Sequence, residues 1–343
     1  MIDLSRFLYP LEQIYLSNQY IRQSMNLLKH FYAAVIQIPL GSVSTYGSIA
    51  KALGDKKAAR AVGRMLHHNI YAPEVPCHRV VMGGGAIGGF GTGVENKIRL
   101  LAGEGVVVKD GKVVDFDSLI FTDFNTLFPL KKLRDEQRIN ATKVVLEDDF
   151  HENRFIAGVD VTYIIDEKKD THTAIGAIVI WDLEKGLSVK VDRVVAEVDF
   201  PYIPTYLTYR EFPVIERLLI ANDGIDILMV DGNGVLHPRG MGLASHCGIM
   251  LDKPTIGVAK GGLCGDLRET NDPKLKEIYL DGSLAGYSLL SSNRATRPIY
   301  ISPGHRISQL SALALVRRIC NFKIPEPLRL AHIEAVKARK NIL

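Results

Sequence analysis

Apolar residues recur three or four positions apart at Ile21, Met25, Leu28, Phe31, Ala34 and Val35. This spacing predicts a helix over about residues 18–37. Two shorter helices should follow. Ser44 or Thr45 can cap the first, which runs through Tyr46, Ile49, Ala50 and Leu53. Gly54-Asp55 turns the chain, and a basic, small-residue helix continues from Lys56 through Leu66, making a helix-turn-helix candidate. Gly83 to Gly93 is too glycine-rich for a helix or a long strand, and Lys97 to Ala102 is helical again, stopped at Gly103. Val106-Val107-Val108 and Val113-Val114 flank Asp110-Gly111, the sequence of a type I′ hairpin turn.

Irregular sequence then runs to Pro129 and divides the chain. The expected division is a domain over 1–116, a linker over 117–129 and a second domain over 130–343. The second opens with a helix from about 130 to 149 and continues with strand-like segments near 154–164, 173–182 and 187–199. A helix at about 206–222, a buried strand Ile227–Val230, a strand Thr255–Ala259 and a last helix at about 307–321 complete the pattern. Strands that come first as hairpins and then alternate with helices indicate α/β architecture with a mixed sheet. The fold class is therefore a two-domain α/β protein whose N-terminal domain is mainly helical.

Composition adds little to this outline. The 343 residues suit two domains, and 47% hydrophobic with 23% charged is ordinary for a globular protein. No run of roughly 18 apolar residues predicts a membrane span, and the N-terminus has no secretory pattern. Cys77, Cys247, Cys264 and Cys320 lack disulfide or metal spacing, so a reduced, cytoplasmic setting is expected. A net charge of +4 is compatible with a polyanionic partner, but local patches decide nucleic-acid binding.

Two places carry chemistry. In Pro76-Cys77-His78-Arg79-Val80 a thiol precedes an imidazole, which can serve as its base directly or through water, with Glu104 placed to orient that base. Taken alone, such a pair is more often a buried cysteine beside a solvated histidine. Upstream, Ala58-Ala59-Arg60-Ala61-Val62-Gly63 offers a helix face of small residues that lets a backbone approach a duplex, with one arginine to enter a base stack. These stretches, with IPLGSVSTYGSIA, GGF and KIRLLAGEG, resemble the active domain of the O6-alkylguanine-DNA alkyltransferases over about residues 28–106. The resemblance implies a winged-helix-like domain that needs no cofactor. In it Cys77 accepts an alkyl group irreversibly, His78 takes the thiol proton and Glu104 holds His78. Arg60 is then the intercalating finger, Tyr46 helps rotate the nucleotide outward and Asn69 braces the active-site turn. Phe90, where many members have tyrosine, and Gly91, where some have serine, depart from the pattern.

The second place is acidic. Asp160 interrupts the apolar strand Phe155–Val161, Asp231 ends Ile227–Val230, and Glu211 lies one helix away. Carboxylates are rarely buried unless paired or bound to a metal, and their oxygens suit a hard cation such as magnesium. Lys260 follows a strand where it can meet a phosphate, and His237 and His305 sit in loops. Pro201-Tyr202-Ile203-Pro204 forms a stiff segment able to part bases. From about residue 130 onward, IAGVDVTY, FPYIPTYLTYREFPVI, VDGNGVLHPRGMGLASHCG, PTIGVAKGGL and YISPGHRIS resemble endonuclease V.

That resemblance implies a ribonuclease-H-like fold and a Mg2+-dependent nuclease, with Mn2+ as a substitute, that nicks 3′ to deoxyinosine and related deaminated bases. Asp160, Glu211, Asp231 and His305 would form the metal-centred set, His237 and Lys260 would support it, and Pro201 to Pro204 would be the wedge. Asn233 stands where many members have histidine. The expected partner is double-stranded DNA carrying O6-alkylguanine or deoxyinosine, with single-stranded DNA or RNA as further candidates. A monomer away from membranes is expected. Two alternatives stay open: a first domain that binds lesions without accepting alkyl groups, and a nuclease that acts on inosine in RNA.

Overall fold

In the computed structural model, residues 27–150, 154–166, 171–292 and 295–343 are described. The start of the first expected helix lies outside them; its described part is α1, Leu27–Ile36, which buries Leu27, Phe31, Ala34 and Val35. Strand β1 (Ser44–Thr45) leads into α2 (Tyr46–Ala52), whose N-terminus Thr45 caps by accepting from the Ser48 N–H. Asp55 caps a short 3-10 turn, Lys56–Ala58, that runs into α3 (Ala59–His67). A second 3-10 turn carries Cys77–Arg79, and β2 (Val80–Val81) pairs in parallel with β1. Helix α4 (Val94–Gly103) precedes a hairpin of β3 (Val108–Lys109) and β4 (Lys112–Val113). Its turn residues Asp110 and Gly111 both have positive φ, as a type I′ turn requires.

Residues 117–129 run along the first domain. After the short α5 (Phe116–Leu119), Phe121 and Phe124 pack on the helix-turn-helix core and Thr126 donates to the Ala52 carbonyl. Helix α6 spans Pro129–Ala141 and ends well before the expected residue 149, because Thr142 caps it and the chain turns toward the second sheet.

Among the described residues that sheet has nine strands, in the spatial order β10 (Asp266–Glu269), β11 (Leu275–Leu280), β12 (Ser283–Leu289), β13 (Ile299–His305), β9 (Thr255–Ala259), β8 (Ile227–Asp231), β5 (Phe155–Asp166), β6 (Thr171–Asp182) and β7 (Leu187–Glu197). A long antiparallel meander comes first: β5 (Phe155–Asp166), β6 (Thr171–Asp182) and β7 (Leu187–Glu197). Then α7 (Leu207–Ile220) leads to β8 (Ile227–Asp231), and α8 (Leu243–Leu251) to β9 (Thr255–Ala259). Strands β5, β8 and β9 are mutually parallel, and the rest of the sheet is antiparallel. Sequence pattern missed α8 and the strands β10 (Asp266–Glu269), β11 (Leu275–Leu280), β12 (Ser283–Leu289) and β13 (Ile299–His305). It also missed the final helix. After α9 (Gln309–Ile319) comes α10 (Glu326–Ile342), which lies on β5 so closely that a Cβ on Gly158 would meet the Pro327 carbonyl carbon at 2.3 Å. Helix α7 covers the opposite face, where a Cβ on Gly176 would meet Val214 at 2.7 Å.

The two halves share one core. Leu130, Leu133, Ile203 and Tyr206 pack in the same cluster as Phe31, Ile49, Leu53, Ala61 and Val62. The Leu130 N–H donates to the Leu53 carbonyl at 2.8 Å. At Gly54, φ is +108° and a Cβ would lie 2.6 Å from the Lys131 nitrogen, so only glycine fits. The Tyr206 hydroxyl donates to Asp55 at 2.8 Å, joining the helix-turn-helix turn to the start of α7. Among the described residues, no helix is long and apolar enough to cross a membrane.

Ile203 is fully buried in this seam. Ile203→Ala is expected to destabilise the protein by about 2–5 kcal/mol, the range for truncating a buried aliphatic residue. Urea unfolding followed by tryptophan fluorescence and by far-UV circular dichroism would measure it. A loss below about 1 kcal/mol would show that the seam contributes little.

Candidate active sites

The first site lies where α2, α3 and the Cys77 turn meet. A cavity of about 260 Å³ is lined by Tyr46, Gly63, Leu66, His67, Cys77, Gly89, Phe90 and Gly91. Cys77 is nearly buried. His78 Nε2 and Glu104 Oε1 are 2.8 Å apart, and Arg79 donates to both Glu104 oxygens at 2.8 Å. Burial alone would raise the Glu104 carboxyl; the bonds from Arg79 and His78 outweigh it and hold the group below its ordinary range. A charged Glu104 therefore fixes the His78 ring through one nitrogen. Burial, with a smaller contribution from Cys77, pushes the Tyr46 hydroxyl up and keeps it neutral. Asn69 donates to the Val75 carbonyl at 2.9 Å and accepts from the Tyr71 N–H at 3.0 Å, spanning the loop before Cys77. Arg60 is exposed in the first turn of α3.

Sequence reasoning missed Lys97. It is fully enclosed, donates to the carbonyls of Val80 at 2.5 Å and Ile87 at 2.7 Å, and is lowered to about 8 by burial, against an opposing pull from Cys77. Its cation lies 5.9 Å from the Phe90 ring centre. A lysine in an otherwise amphipathic helix gave no sign that it pointed inward.

The second site follows from strand register. Val159 pairs with Val230 and Asp231 with Val258, so Asp160 and Asp231 are neighbours on the α10 face of the sheet. Glu211, on α7, accepts from Tyr163 at 3.1 Å and feels the charges of both aspartates. Lys260 donates to Asp231. His332, on α10, lies 2.8 Å from Asp160 through Nδ1. Burial, then the Asp231 charge, pushes Asp160 up to about 6. Burial, partly offset by Tyr163, and then the charges of Asp160 and Asp231 push Glu211 up to about 8. Lys260 is pulled the other way: burial would lower it, but Asp231, Asp160 and Glu211 raise it. Crowded carboxylates that resist ionisation are what a hard divalent cation relieves. With Lys260 held on Asp231, no three of these side chains stand at cation-binding geometry among the described residues, so an ion would have to displace the lysine and draw them together.

Three expectations fail here. His305 does not join the carboxylates. It pairs with Thr255, three residues along β9 from the level of Asp231, roughly 10 Å at strand spacing. Its Cβ also packs against Gly248 of α8, on the other face of the sheet, while Nδ1 accepts from the Val145 N–H. The histidine beside Asp160 is His332. The one available signal was its place next to buried Ala331 and one turn beyond buried Leu328; the His332 side chain itself is about half exposed. His237 is buried and cannot meet DNA: Nε2 lies 3.1 Å from the Thr205 carbonyl, and burial, then Arg239, lowers it to about 3. In the expected wedge only Tyr202 is exposed; Pro201 and Pro204 are half-buried and Ile203 fills the seam. Asn233 is half-buried, and its side-chain oxygen has no partner among the described residues.

Residues 138–333 match the family model of endonuclease V, and residues 26–106 that of the 6-O-methylguanine DNA methyltransferase DNA-binding domain. A bifunctional methyltransferase/endonuclease of Picrophilus torridus is 38% identical over 93% of this chain and 99% of its own length. One of Thermoplasma volcanium is 34% identical over 90% and 89%. The catalytic domain of human endonuclease V superposes with a TM-score of 0.56 at 30% identity, over 64% of this chain and 99% of that one.

With Asp160 and Glu211 protonated below about 6 and 8, a divalent cation must displace protons to bind. The melting temperature gained on adding Mg2+ should therefore be small at pH 5.5 and rise to its full value above about pH 8. A gain that is flat or falls with pH would contradict the assignment. His332→Ala should weaken cation binding by roughly 10–100-fold in calorimetric titration, whereas His305→Ala should leave the cation-induced gain in place; the reverse outcome would restore His305 to the centre.

Proposed function

The chain belongs to the family of bifunctional methyltransferase/endonucleases, and from that premise we propose that it repairs two kinds of DNA damage at two separate centres. The observation that carries this reading is the pairing, in one chain, of a cysteine in a cavity beside a carboxylate-held histidine with a distinct cluster of buried carboxylates.

At the first centre the substrate is O6-alkylguanine in double-stranded DNA, turned out of the stack into the Tyr46–Phe90 cavity. The Cys77 sulfur attacks the alkyl carbon, a sulfur–carbon bond forms and the carbon–O6 bond breaks. His78 takes the thiol proton through a water, held in orientation by Glu104. The departing guanine is neutralised by a proton from its surroundings, for which the buried Tyr46 hydroxyl is placed. Arg60, exposed at the start of α3, fills the gap in the stack. The product is an alkylated protein, so each molecule acts once.

At the second centre the substrate is DNA containing deoxyinosine or a related deaminated base, nicked on the 3′ side of the lesion. Asp160, Glu211, Asp231 and His332 would hold a divalent cation, Mg2+ by the oxygen-rich donor set with Mn2+ as a substitute. When bound, such a cation supplies Lewis-acid activation of the scissile phosphate. Lys260 stands at the mouth of the site, where it is charged and can meet a phosphate oxygen. Tyr163 fixes the Glu211 carboxyl by its hydrogen bond. Exposed Tyr202 is the remaining side chain of its segment free to stack on a base.

Cys77→Ala should abolish transfer of labelled alkyl groups to the protein and keep nicking of inosine-containing duplex within about twofold. Asp231→Ala should keep transfer and lower nicking by about 100-fold or more, as loss of a principal charge-stabilising group does. Mass spectrometry and gel cleavage assays on the same preparations read both. Loss of nicking in Cys77→Ala, with folding intact, would refute two separate centres.

A further inference from the structure

Two pairs of lysines lie at the seam, one on each half. Lys56 and Lys57 open the 3-10 turn that feeds α3, and Lys131 and Lys132 lie in the first turn of α6. The backbones meet there, since Gly54 packs directly on the Lys131 nitrogen. All four side chains are exposed and make no hydrogen bond or ion pair among the described residues. Cations in a first helical turn oppose the helix dipole; Asp55 caps the Lys56–Ala58 turn, but no acidic residue offsets Lys131 and Lys132 in the first turn of α6. Helix stability does not explain them. A polyanion crossing the seam does.

The seam also lies close to both chemical centres. Arg60 follows Lys57 by three residues, in the first turn of α3. On the other side, the Tyr206 hydroxyl bonds Asp55, which accepts from the Lys57 N–H at 3.0 Å, and Arg239 stacks on the Tyr206 ring. Tyr206 stands at the N-cap of α7, and Glu211 lies five residues along it, about 7.5 Å at helical rise. The second centre is thus within one turn of B-DNA, about 34 Å, of the Lys57 backbone.

We propose that Lys56, Lys57, Lys131 and Lys132 form one backbone-phosphate track, so that each domain lends DNA contacts to the other's reaction. The extension to catalysis rests on the two activities proposed above; the binding track does not. Phosphate contacts are independent of sequence and lesion. They are therefore testable by fluorescence anisotropy on an undamaged duplex, and then on duplexes carrying O6-methylguanine or deoxyinosine. For the full chain, Lys56→Ala/Lys57→Ala and Lys131→Ala/Lys132→Ala should each weaken binding to all three duplexes by about tenfold or more at 0.1 M salt. Each should also flatten the slope of log K against log salt by about 1.8, the value for two lost contacts. Lys→Arg versions of the same pairs should restore both. In catalysis, the Lys56/Lys57 pair should raise KM for inosine nicking, and the Lys131/Lys132 pair should slow alkyl transfer at subsaturating DNA.

Unchanged affinity and slope in either alanine pair would overturn the track. Altered binding without the cross-domain effect on KM or transfer rate would overturn the sharing. A wild-type chain that binds undamaged duplex with the predicted lysine dependence but neither transfers nor nicks would refute the proposed activities and leave the track standing.

Discussion

Everything in this molecule depends on the seam between Gly54 and Lys131. There is no room there for even one methyl group, and the apolar side chains of both halves close over it as a single core. A linked pair of domains would normally be expected to move independently. Here the helix-turn-helix turn, the first helix of the nuclease half and the segment leading to Glu211 are locked together by Leu130, Ile203 and Tyr206. The alkyl-acceptor pocket and the carboxylate cluster are thereby held at a fixed separation by ordinary packing rather than by a tether.

Within that frame the two centres solve opposite electrostatic problems. Glu104 is kept charged by Arg79 and His78, so that the ring beside Cys77 has a fixed orientation and an anionic neighbour. The nuclease carboxylates are kept partly uncharged by burial and by one another, a state that costs free energy. The first centre is ready as folded. In the proposed function, the second is completed by a cation. That difference follows from Arg79, which donates to both Glu104 oxygens, whereas Asp160 is held by a His332 nitrogen beside the like charge of Asp231.

Much of this was legible in the chain. Cys77, His78 and Glu104 stood out because reactive residue types fell in a glycine-rich, basic context, and Asp160 and Asp231 because each broke an apolar strand. The β5–β8–β9 register needed only those strands to place the two aspartates side by side. What was not legible depended on long-range contacts. Ile203 between two prolines has the same sequence whether it projects into DNA or plugs a core, and only the position of α1 to α3 decides. Strand β10 is exposed along its whole length and so has no apolar alternation to reveal it. His305 and His332 both sit near helices late in the chain; the face of the sheet that each meets is set by α8 and α10, neither of which the pattern had suggested.

The central claim is that one folded unit carries one centre complete in itself and one that needs a cation. The most direct measurement follows both reactions in a single preparation, treated first with a chelator and then with excess Mg2+. Alkyl transfer from O6-methylguanine duplex should proceed at the same rate in both conditions, while nicking of inosine duplex should be absent with chelator and present with Mg2+. Transfer that stops with the chelator, or nicking that survives it, would contradict the account.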